Sequence, residues 1–588
     1  MRNLITALLF LLSTSFATDS TSSLDTAWET DALSFLPFEW SGHWGIYHHH
    51  GFPGWGMDAT DGLTFFDGTF ILWPLRYAFP SLDTSAENQN EPGVHSALMY
   101  RRGDYFLDEF SFDINSLREE GGSVRFEALK RNFEDQYGLL GFPGLPGGTI
   151  QQNYRLLMKI PGESDEVWNI SSAYFKTTDA VPVPSESGWE KGATRRDRII
   201  ASGLGYTRNG QQLEASAFSQ RLKLESLSSA PDWSADLIAY KLRYFSSHPV
   251  GVDAQRFLRI SGKYSILSSD SLDNRSRLAV AAAAGFWTQV RKYEFTMALG
   301  GAFVSPDRRG LLFDGRVDYS LTSSDTFSLT VIHWLHALPF QYSGGGVPEW
   351  PADKYNVLRS DSSAISQSRT VLQITARHRS SRMKTRVGLF GSRADPHYYF
   401  EKREYIDYRS MFAYQLDPQK MSSDGVGGVF WQTQLNYFRS WWLQGSGVSL
   451  FENKQGWGSG VQHEGSIGLL FRESLFGENL DLRVRFWTNF WVGRNSYVWD
   501  PLLKLGYYDD TVVPSQDNAA VANVEFKGVI STFEISFTMR NLLYAGRTLI
   551  RSFTGDFLTE DQLSFSATPL FPAAGRLAFV TIRWHFMN

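Results

Sequence analysis

The sequence predicts an all-β fold, a large antiparallel transmembrane β-barrel of about 22 strands that follows a short N-terminal segment. The composition is one reason: 588 residues include 44 Phe, 25 Tyr, 19 Trp and 51 Gly, a balance that favours strands and turns over helices. A second reason is that apolar and polar residues alternate with a period of two over most of the chain. A third is that short turns contrast with long connections, as they do in outer-membrane barrels.

The first residues are typical of a secretory signal peptide, predicted over residues 1–17. Arg2 precedes an apolar stretch from Leu4 to Leu12, and the small residues Ser15 and Ala17 stand just before the expected cleavage point. The apolar stretch is shorter than the roughly 20 residues that a helix needs to cross a bilayer. Because the chain has no Cys, the mature N-terminus offers no lipidation site.

Hairpins with one apolar face and one polar face follow downstream. In "GRVDYSLTSSDTFSLTV" two strands of this kind flank a polar turn at Ser323, Ser324 and Asp325. In "LGYTRNGQQLEASAF" Asn209 and Gly210 predict a tight hairpin turn, which requires positive φ at both residues. These segments predict antiparallel strands joined in sequence order.

The stretch "LDLRVRF" shows the same alternation, with charged residues opposite apolar ones. The apolar residues are Leu480, Leu482, Val484 and Phe486, and the charged residues are Asp481, Arg483 and Arg485. Such strands fit either a soluble sandwich or a membrane barrel with a polar lumen. The signal peptide, the uneven connections and the aromatic residues near strand ends favour the barrel. On this interpretation Arg483, Arg485 and Arg583 face the lumen.

The last strand of the chain, "GRLAFVTIRWHFMN", has an apolar face that ends on aromatic residues. It resembles the C-terminal strand that the barrel-assembly machinery recognises in bacterial outer-membrane proteins, although Met587 and Asn588 follow the final aromatic residue. The residues predicted to matter for this recognition are Gly575, Arg576, Ile582, Trp584 and Phe586.

Two regions are similar to TonB-dependent receptors. At the C-terminus, Asn541, Leu542 and Leu543 resemble the end of the penultimate strand, and Gly575 and Arg576 resemble the opening of the last one. Near the N-terminus, the residues that match the plug motifs of that family are Asp31, Leu33, Leu36, Pro37, Phe66, Asp67 and Gly68. After the signal peptide over 1–17, the resemblance implies a reduced plug within 18–92 and a barrel over 93–588.

Three consecutive histidines, His48, His49 and His50, stand in the glycine-rich stretch "HHHGFPGWG". Metal binding is one interpretation, but adjacent histidines rarely bind a single ion together and no Cys is available. The alternative interpretation is a glycine-rich plug loop. We therefore predict no cofactor and keep the three histidines as candidate metal ligands.

Charge and motifs narrow the function. The formal net charge of −6 argues against a nucleic-acid partner, and no compact hydrolase, nucleotide-binding or zinc-protease motif is present, so we do not expect an enzyme. The expected partners are outer-membrane lipid, the barrel-assembly machinery and a small solute of unknown identity. The expected location is the outer membrane of a Gram-negative-type bacterium.

Three functional hypotheses remain open. The resemblance implies a receptor opened by TonB, but "TDSTSSLDTAWETDALSF" contains no convincing segment that would couple to TonB. The second hypothesis is a porin-like barrel that a small N-terminal segment partly occludes. The third is a binding or structural barrel that holds glycans or a protein through aromatic residues, the candidates being Tyr398, Tyr399, Trp441, Trp442 and Trp457.

Overall fold

The computed structural model describes most of the chain from residue 92 onward. The described ranges are 92–133, 149–226, 233–337, 357–358, 366–403, 415–438, 440–454, 461–500, 505–509, 518–545 and 577–587, with short gaps at 105, 164, 186–187, 270–271, 307, 453 and 478. The predicted signal peptide and the N-terminal segment up to residue 91 therefore lie outside the described residues.

The described residues are almost entirely strands. In chain order they are β1 (Gly93–Gly103), β2 (Asp108–Leu117), β3 (Ser123–Phe133), β4 (Thr149–Pro161), β5 (Val167–Ser185), β6 (Gly188–Arg208), β7 (Gln211–Ser226), β8 (Trp233–Pro249), β9 (Ala254–Ser269), β10 (Leu272–Val290), β11 (Tyr293–Val304), β12 (Arg308–Ser320), β13 (Asp325–Ala337), β14 (Val357–Leu358), β15 (Ser366–Arg379), β16 (Met383–Asp395), β17 (His397–Arg403), β18 (Gln415–Met421), β19 (Asp424–Phe438), β20 (Trp441–Leu450), β21 (Val461–Leu475), β22 (Leu480–Arg494), β23 (Tyr497–Asp500), β24 (Leu505–Tyr508), β25 (Asn518–Ile530), β26 (Phe533–Arg540) and β27 (Leu577–Met587). One helical turn, α1 (Leu542–Ala545), follows β26.

Twenty-two of these strands form one antiparallel sheet, and the sheet closes on itself. Each barrel strand pairs with the next one along the chain, and β1 pairs with β27 in the register that sets Ser96 opposite Phe586. Closure leaves the sheet without a free edge. The predicted fold class, a closed antiparallel barrel of 22 strands, is confirmed.

Tight turns join the strands at one end of the barrel. Asn209 and Gly210 have φ values of 47° and 75°, which is the geometry that the hairpin between β6 and β7 requires. Phe476 and Gly477 have φ values of 54° and 65° in the turn between β21 and β22. The Asn-Gly dipeptide therefore forms the turn that the sequence predicts.

The two ends of the barrel differ in the length of their connections. One end, here called the short-turn end, carries connections such as 209–210, 291–292 and 531–532. The opposite end, called the long-connection end, carries connections such as 338–365 and 541–576. Because successive strands alternate in direction, β1 begins and β27 ends at the short-turn end.

The two faces of the sheet differ in polarity as predicted. On β22, Phe486 is 47% exposed on the outer face, whereas its neighbour Trp487 is 8% exposed on the inner face. On β27, Val580 and Trp584 are exposed and Thr581 is buried. An apolar outer face and a polar, charged inner face are the pattern of a barrel set in lipid.

No helix among the described residues is long and apolar enough to cross a membrane.

One difference from the expected strand pattern occurs at the end of β26. The resemblance placed Asn541 at the end of a strand, but β26 ends at Arg540, and Asn541 has a φ of 55° and leads into α1. Its buried backbone N–H donates to Asn523 Oδ1 at 3.2 Å. This side-chain acceptor replaces the strand partner that the backbone loses where it leaves the sheet.

Candidate functional site

The inner face of the barrel is the candidate site, and ion pairs fix its charged side chains near the short-turn end. The Asp481 carboxylate on β22 lies 2.8 Å from the Arg483 guanidinium and 2.9 Å from that of Arg472 on β21. Lys527 on β25 lies 2.7 Å from Glu534 on β26. These pairs keep charged groups on the wall while limiting the motion of each side chain.

The three arginines predicted to face the lumen lie on inner-face positions of their strands. Arg483 belongs to the ion pair with Asp481, and the Arg485 guanidinium carbon lies 4.8 Å from the ring centroid of buried Trp487. Arg583 on β27 lies with a guanidinium nitrogen 3.7 Å from Met99 Sδ on β1. Their contact with a solute remains a prediction.

A second charged group lies beside the seam between β1 and β27. Arg101 Nη1 lies 3.3 Å from Glu109 Oε1 on β2, and Arg101 Nε donates to Thr581 Oγ1 on β27 at 3.0 Å. Arg101 thus joins three strands across the point where the barrel closes. Close by, Arg125 on β3 pairs with Asp113 on β2 at 2.8 Å.

An aromatic cage orients Arg259 on the inner face of β9. Its guanidinium carbon lies 4.6 Å from the Phe257 ring centroid and 5.8 Å from that of Phe245. Its Nη1 lies 3.5 Å from the Asp314 carboxylate on β12. The two rings and the carboxylate fix the positively charged Arg259 side chain on this part of the wall, because the rings attract the guanidinium through their π faces.

A second, five-stranded sheet lies at the long-connection end and is called the loop sheet. It is built from β14, β17, β18, β23 and β24, in the order β14-β18-β17-β24-β23. β17 and β18 come from the connection between β16 and β19, and β24 joins them through the parallel pair Glu401–Tyr508. Three long connections therefore meet in one sheet.

Buried side chains fix the loop sheet internally. Lys402 Nζ lies 2.8 Å from Asp509 Oδ2, and the Asp509 side chain is buried. The rings of Tyr399 and Tyr508 meet edge to face with centroids 5.8 Å apart. An ion pair and an aromatic contact thus join two connections that are distant in sequence.

A further ion pair joins β19 to the neighbouring connection. Lys454, which follows β20, donates to Asp424 Oδ1 at 3.2 Å, and this hydrogen bond raises the pKa of the Lys454 ammonium group.

The aromatic residues predicted to bind glycans do not form one surface. Tyr398 is buried in the loop sheet, whereas Trp441 is exposed where β20 begins, at the short-turn end. Trp442 is partly buried beside Trp441, and Trp457 lies outside the described residues. The two groups stand at opposite ends of the barrel.

Several predicted site residues lie outside the described residues. They are the plug-like residues Asp31, Leu33, Leu36, Pro37, Asp67 and Gly68, the histidines His48, His49 and His50, and the pair Gly575 and Arg576. Within the described part of the chain, no group of three or more His, Asp or Glu side chains is arranged to hold a metal ion. Ile582, Trp584 and Phe586 lie in β27, where Trp584 and Phe586 point outward and are exposed.

Sequence comparisons identify no relative. No family model matches the chain, and no curated protein sequence matches it.

Solved structures, by contrast, match most of the chain. The ferric enterobactin receptor PfeA of Pseudomonas aeruginosa superposes with a TM-score of 0.62 at 9% identity, over 85% of this chain and 82% of that one. The siderophore receptor PirA of Acinetobacter baumannii gives 0.61 at 9% identity, over 85% and 81%. The iron transporter FrpB of Neisseria meningitidis gives 0.61 at 8% identity, over 89% and 83%. At this identity the match shows the shared fold, and the predicted likeness to TonB-dependent receptors is confirmed as a likeness of fold.

Proposed function

We propose that this protein is an outer-membrane barrel that passes or captures small solutes, and that residues 18–92 restrict the passage. The observation that carries the proposal is the closed 22-stranded sheet with an apolar outer face and a charged inner face. In lipid every backbone polar group needs an internal partner, and a closed barrel supplies one. The receptor and transporter names of the structural neighbours support transport at a coarse level.

The uneven connections suggest the orientation of the barrel. Outer-membrane barrels keep short turns on the periplasmic side and longer loops outside. The loop sheet would then lie at the outer surface, where a solute arrives. Because β1 begins at the short-turn end, residues 18–92 would lead into the barrel from the periplasmic side.

Burial on the inner face supports an occluded lumen. Gln220, Leu237 and Leu267 are 0%, 2% and 2% exposed on the inner face of β7, β8 and β9. A barrel of about 22 strands is too wide for the opposite wall to cover such side chains. We propose that residues 18–92 cover them, since "FFDGTFILWPL" at 65–75 is apolar enough to pack against the wall.

A porin-like mechanism fits the chain better than an energised one. A receptor opened by TonB needs an extended coupling segment near its mature N-terminus, and "TDSTSSLDTAWETDALSF" does not provide a convincing one. TonB would be a partner of this protein only under the alternative mechanism, that of an energised receptor. The barrel-assembly machinery is the proposed partner during insertion, through the exposed aromatic residues of β27.

Planar-bilayer conductance of the purified protein tests the proposal. Deletion of residues 40–85 should leave the barrel assembled and raise its conductance, since the first strand among the described residues begins at Gly93, after the deleted stretch. The control replaces His48, His49 and His50 with Ala, which keeps the segment and should conduct like the parent. A deletion variant that inserts normally and conducts no more than the parent would show that the segment does not restrict the passage.

A further inference from the structure

Three basic side chains form a row across the outer face of neighbouring strands, toward the long-connection end. Arg198 on β6 lies directly opposite Lys176 on β5 and directly opposite Arg221 on β7. All three side chains are exposed, and the apolar residues Ile200 and Leu213 are exposed on the same face of β6 and β7. The three basic residues, called the basic row, therefore lie on the surface that the barrel presents to lipid.

The basic row lies where the apolar outer face ends. Eight residues along β6 separate Arg198 from Tyr206, whose ring meets that of Trp168 near the short-turn end at 4.5 Å between centroids. In a strand tilted by about 40° this separation rises about 20 Å along the barrel axis, close to the height of about 25 Å of the apolar band. Tyr174, on the short-turn side of the row, stacks on Tyr154 with centroids 6.2 Å apart. The row thus lies beside an aromatic pair, at the level of the lipid headgroups.

The charge around the row is mainly positive. Two residues farther toward the long-connection end, Arg196 on β6 lies directly opposite Lys223 on β7, and both lie 2.9 Å from the Glu225 carboxylate. Arg221 lies 3.7 Å from Asp236 on β8, but the two side chains are 62% and 43% exposed, and exposed pairs contribute little to stability. The described charged groups of this part of the outer face, on β5 to β8, are five basic and two acidic ones.

The geometry of the basic row suits phosphate. Like charges that lie directly opposite each other in a sheet repel, so an anion placed between them lowers the free energy of the assembled barrel. Arginine can bind a phosphate through two parallel hydrogen bonds. The Arg198 guanidinium carbon lies 5.8 Å from the Tyr174 ring centroid, and this contact restricts the orientation of the guanidinium. Because neighbouring strands are about 4.8 Å apart, the three cations span about 10 Å, which is the scale of a lipid headgroup.

We propose that the basic row binds the phosphate of an anionic lipid in the leaflet that surrounds the long-connection end. Arg198 and Arg221 would donate hydrogen bonds to the phosphate oxygens, and the Lys176 ammonium group would add a third positive charge. The acyl chains would lie along the apolar face beside Ile200 and Leu213. The site requires a barrel set in lipid but not the transport of a solute. Under the orientation proposed above, the leaflet is the outer one.

Native mass spectrometry of the full chain in detergent tests the site. Phosphatidic acid, whose headgroup is a phosphate, is compared with phosphatidylcholine that has the same acyl chains. At about 0.1 M salt, where the Debye length is about 10 Å, the cations should attract the anionic lipid. We expect the parent to retain phosphatidic acid about tenfold more strongly, which corresponds to about 1.4 kcal/mol. The triple variant Lys176→Gln/Arg198→Gln/Arg221→Gln should lose this preference.

A matched pair of single variants controls for net charge. Arg198→Gln removes one charge from the centre of the row and should lower the preference. Arg309→Gln removes one charge from an exposed outer-face residue of β12 near the same end, where the opposite residue is Phe303, and should bind lipid like the parent. An equal loss in the two variants would show that net charge, and not the row, attracts the lipid. Equal retention of the two lipids by the parent, or an unchanged preference in the triple variant, would also overturn the proposal.

Two further measurements separate lipid from a free anion and do not need the triple variant to assemble. Inorganic phosphate in excess should leave phosphatidic acid bound to the parent, because the acyl chains also contact the barrel. Complete displacement would show that the row takes free phosphate and that the lipid proposal is wrong. A phosphatidic acid with a photoreactive group close to its phosphate should cross-link mainly to peptides of β5, β6 and β7. Cross-links spread evenly around the barrel would contradict the site.

Discussion

Lys241 on β8 lies directly opposite Lys263 on β9, and both side chains point to the inside of the barrel. Directly opposed like charges destabilise a sheet by roughly 0.2–1 kcal/mol. The outward neighbours of Lys241 on β8, Tyr240 and Leu242, are apolar and exposed, so the facing of the strand and its register with β9 bring the two ammonium groups together on the inner face. The pair is therefore a position where the effect of charge on the inner wall can be measured by substitution.

Lys263→Glu in the variant that lacks 40–85 should therefore stabilise the barrel. The new carboxylate would face Lys241, and we expect the free energy of unfolding to rise by about 0.2–1 kcal/mol, measured by denaturant titration after refolding into vesicles. Lys263→Gln removes the repulsion without adding attraction and should give a smaller gain. A loss of stability on Lys263→Glu would mean that the two side chains do not interact in that variant.

The mature protein should fractionate with the outer membrane and migrate differently in detergent gels before and after heating. A closed barrel satisfies its backbone hydrogen bonds internally and resists unfolding by detergent. Fractionation of cells expressing the full chain, followed by gel migration with and without boiling, measures both properties. Recovery from the soluble periplasm would contradict the proposed location.

Phe486→Arg should impair insertion more than Arg485→Ala. Phe486 is exposed on the outer face and meets Phe526 edge to face at 6.4 Å between ring centroids. An Arg on the lipid face near the bilayer midplane costs about 2–4 kcal/mol, whereas Arg485→Ala removes a contact with Trp487 on the inner face. Phe486→Leu keeps the apolar surface and serves as the control.

Refolding yield and unfolding free energy in vesicles report the outcome of this comparison. Equal tolerance of Phe486→Arg and Arg485→Ala would show that this part of β22 does not meet lipid.

Gly210→Ala should destabilise the barrel more than Gly477→Ala. Both residues have positive φ, 75° and 65°, and a non-glycine residue in that region costs about 1–2 kcal/mol. A Cβ at position 210 would also lie 2.7 Å from the Ser247 carbonyl oxygen, whereas nothing lies within 4 Å of one at position 477. Denaturant titration of the two variants separates backbone strain from the contact, and equal losses would mean that Ser247 moves away at little cost.

Local sequence signals were sufficient to predict the hairpins and the two faces of the sheet. Asn209 and Gly210 fix a turn by their own conformational preferences, and Phe486 and Trp487 differ in exposure because successive side chains of a strand point to opposite faces. Neither inference needs knowledge of any distant residue. The fold class follows from many such local signals that agree.

The loop sheet and the Lys241–Lys263 pair needed information that local patterns do not contain. Lys402 and Asp509 belong to different connections, and no residue near either one predicts the other. The opposition of Lys241 and Lys263 depends on the register around the turn at 250–253. Counting outward from that turn brings the two lysines together, and this was the available signal. Tyr398 and Trp441 were grouped by residue type alone, which ignores that they stand at opposite ends of the barrel.

The seam between β1 and β27 constrains how the chain can be made. Arg101 and Thr581 are 480 residues apart and share a hydrogen bond of 3.0 Å. The strand β1 therefore gains its second neighbour, β27, only after the last part of the chain has been translated. Until then the growing sheet has two unpaired edges, each able to pair with another chain. A premature stop codon anywhere before β27 would yield a product that cannot close, and a cell that removes polypeptides with open edges would discard every such fragment whatever its length.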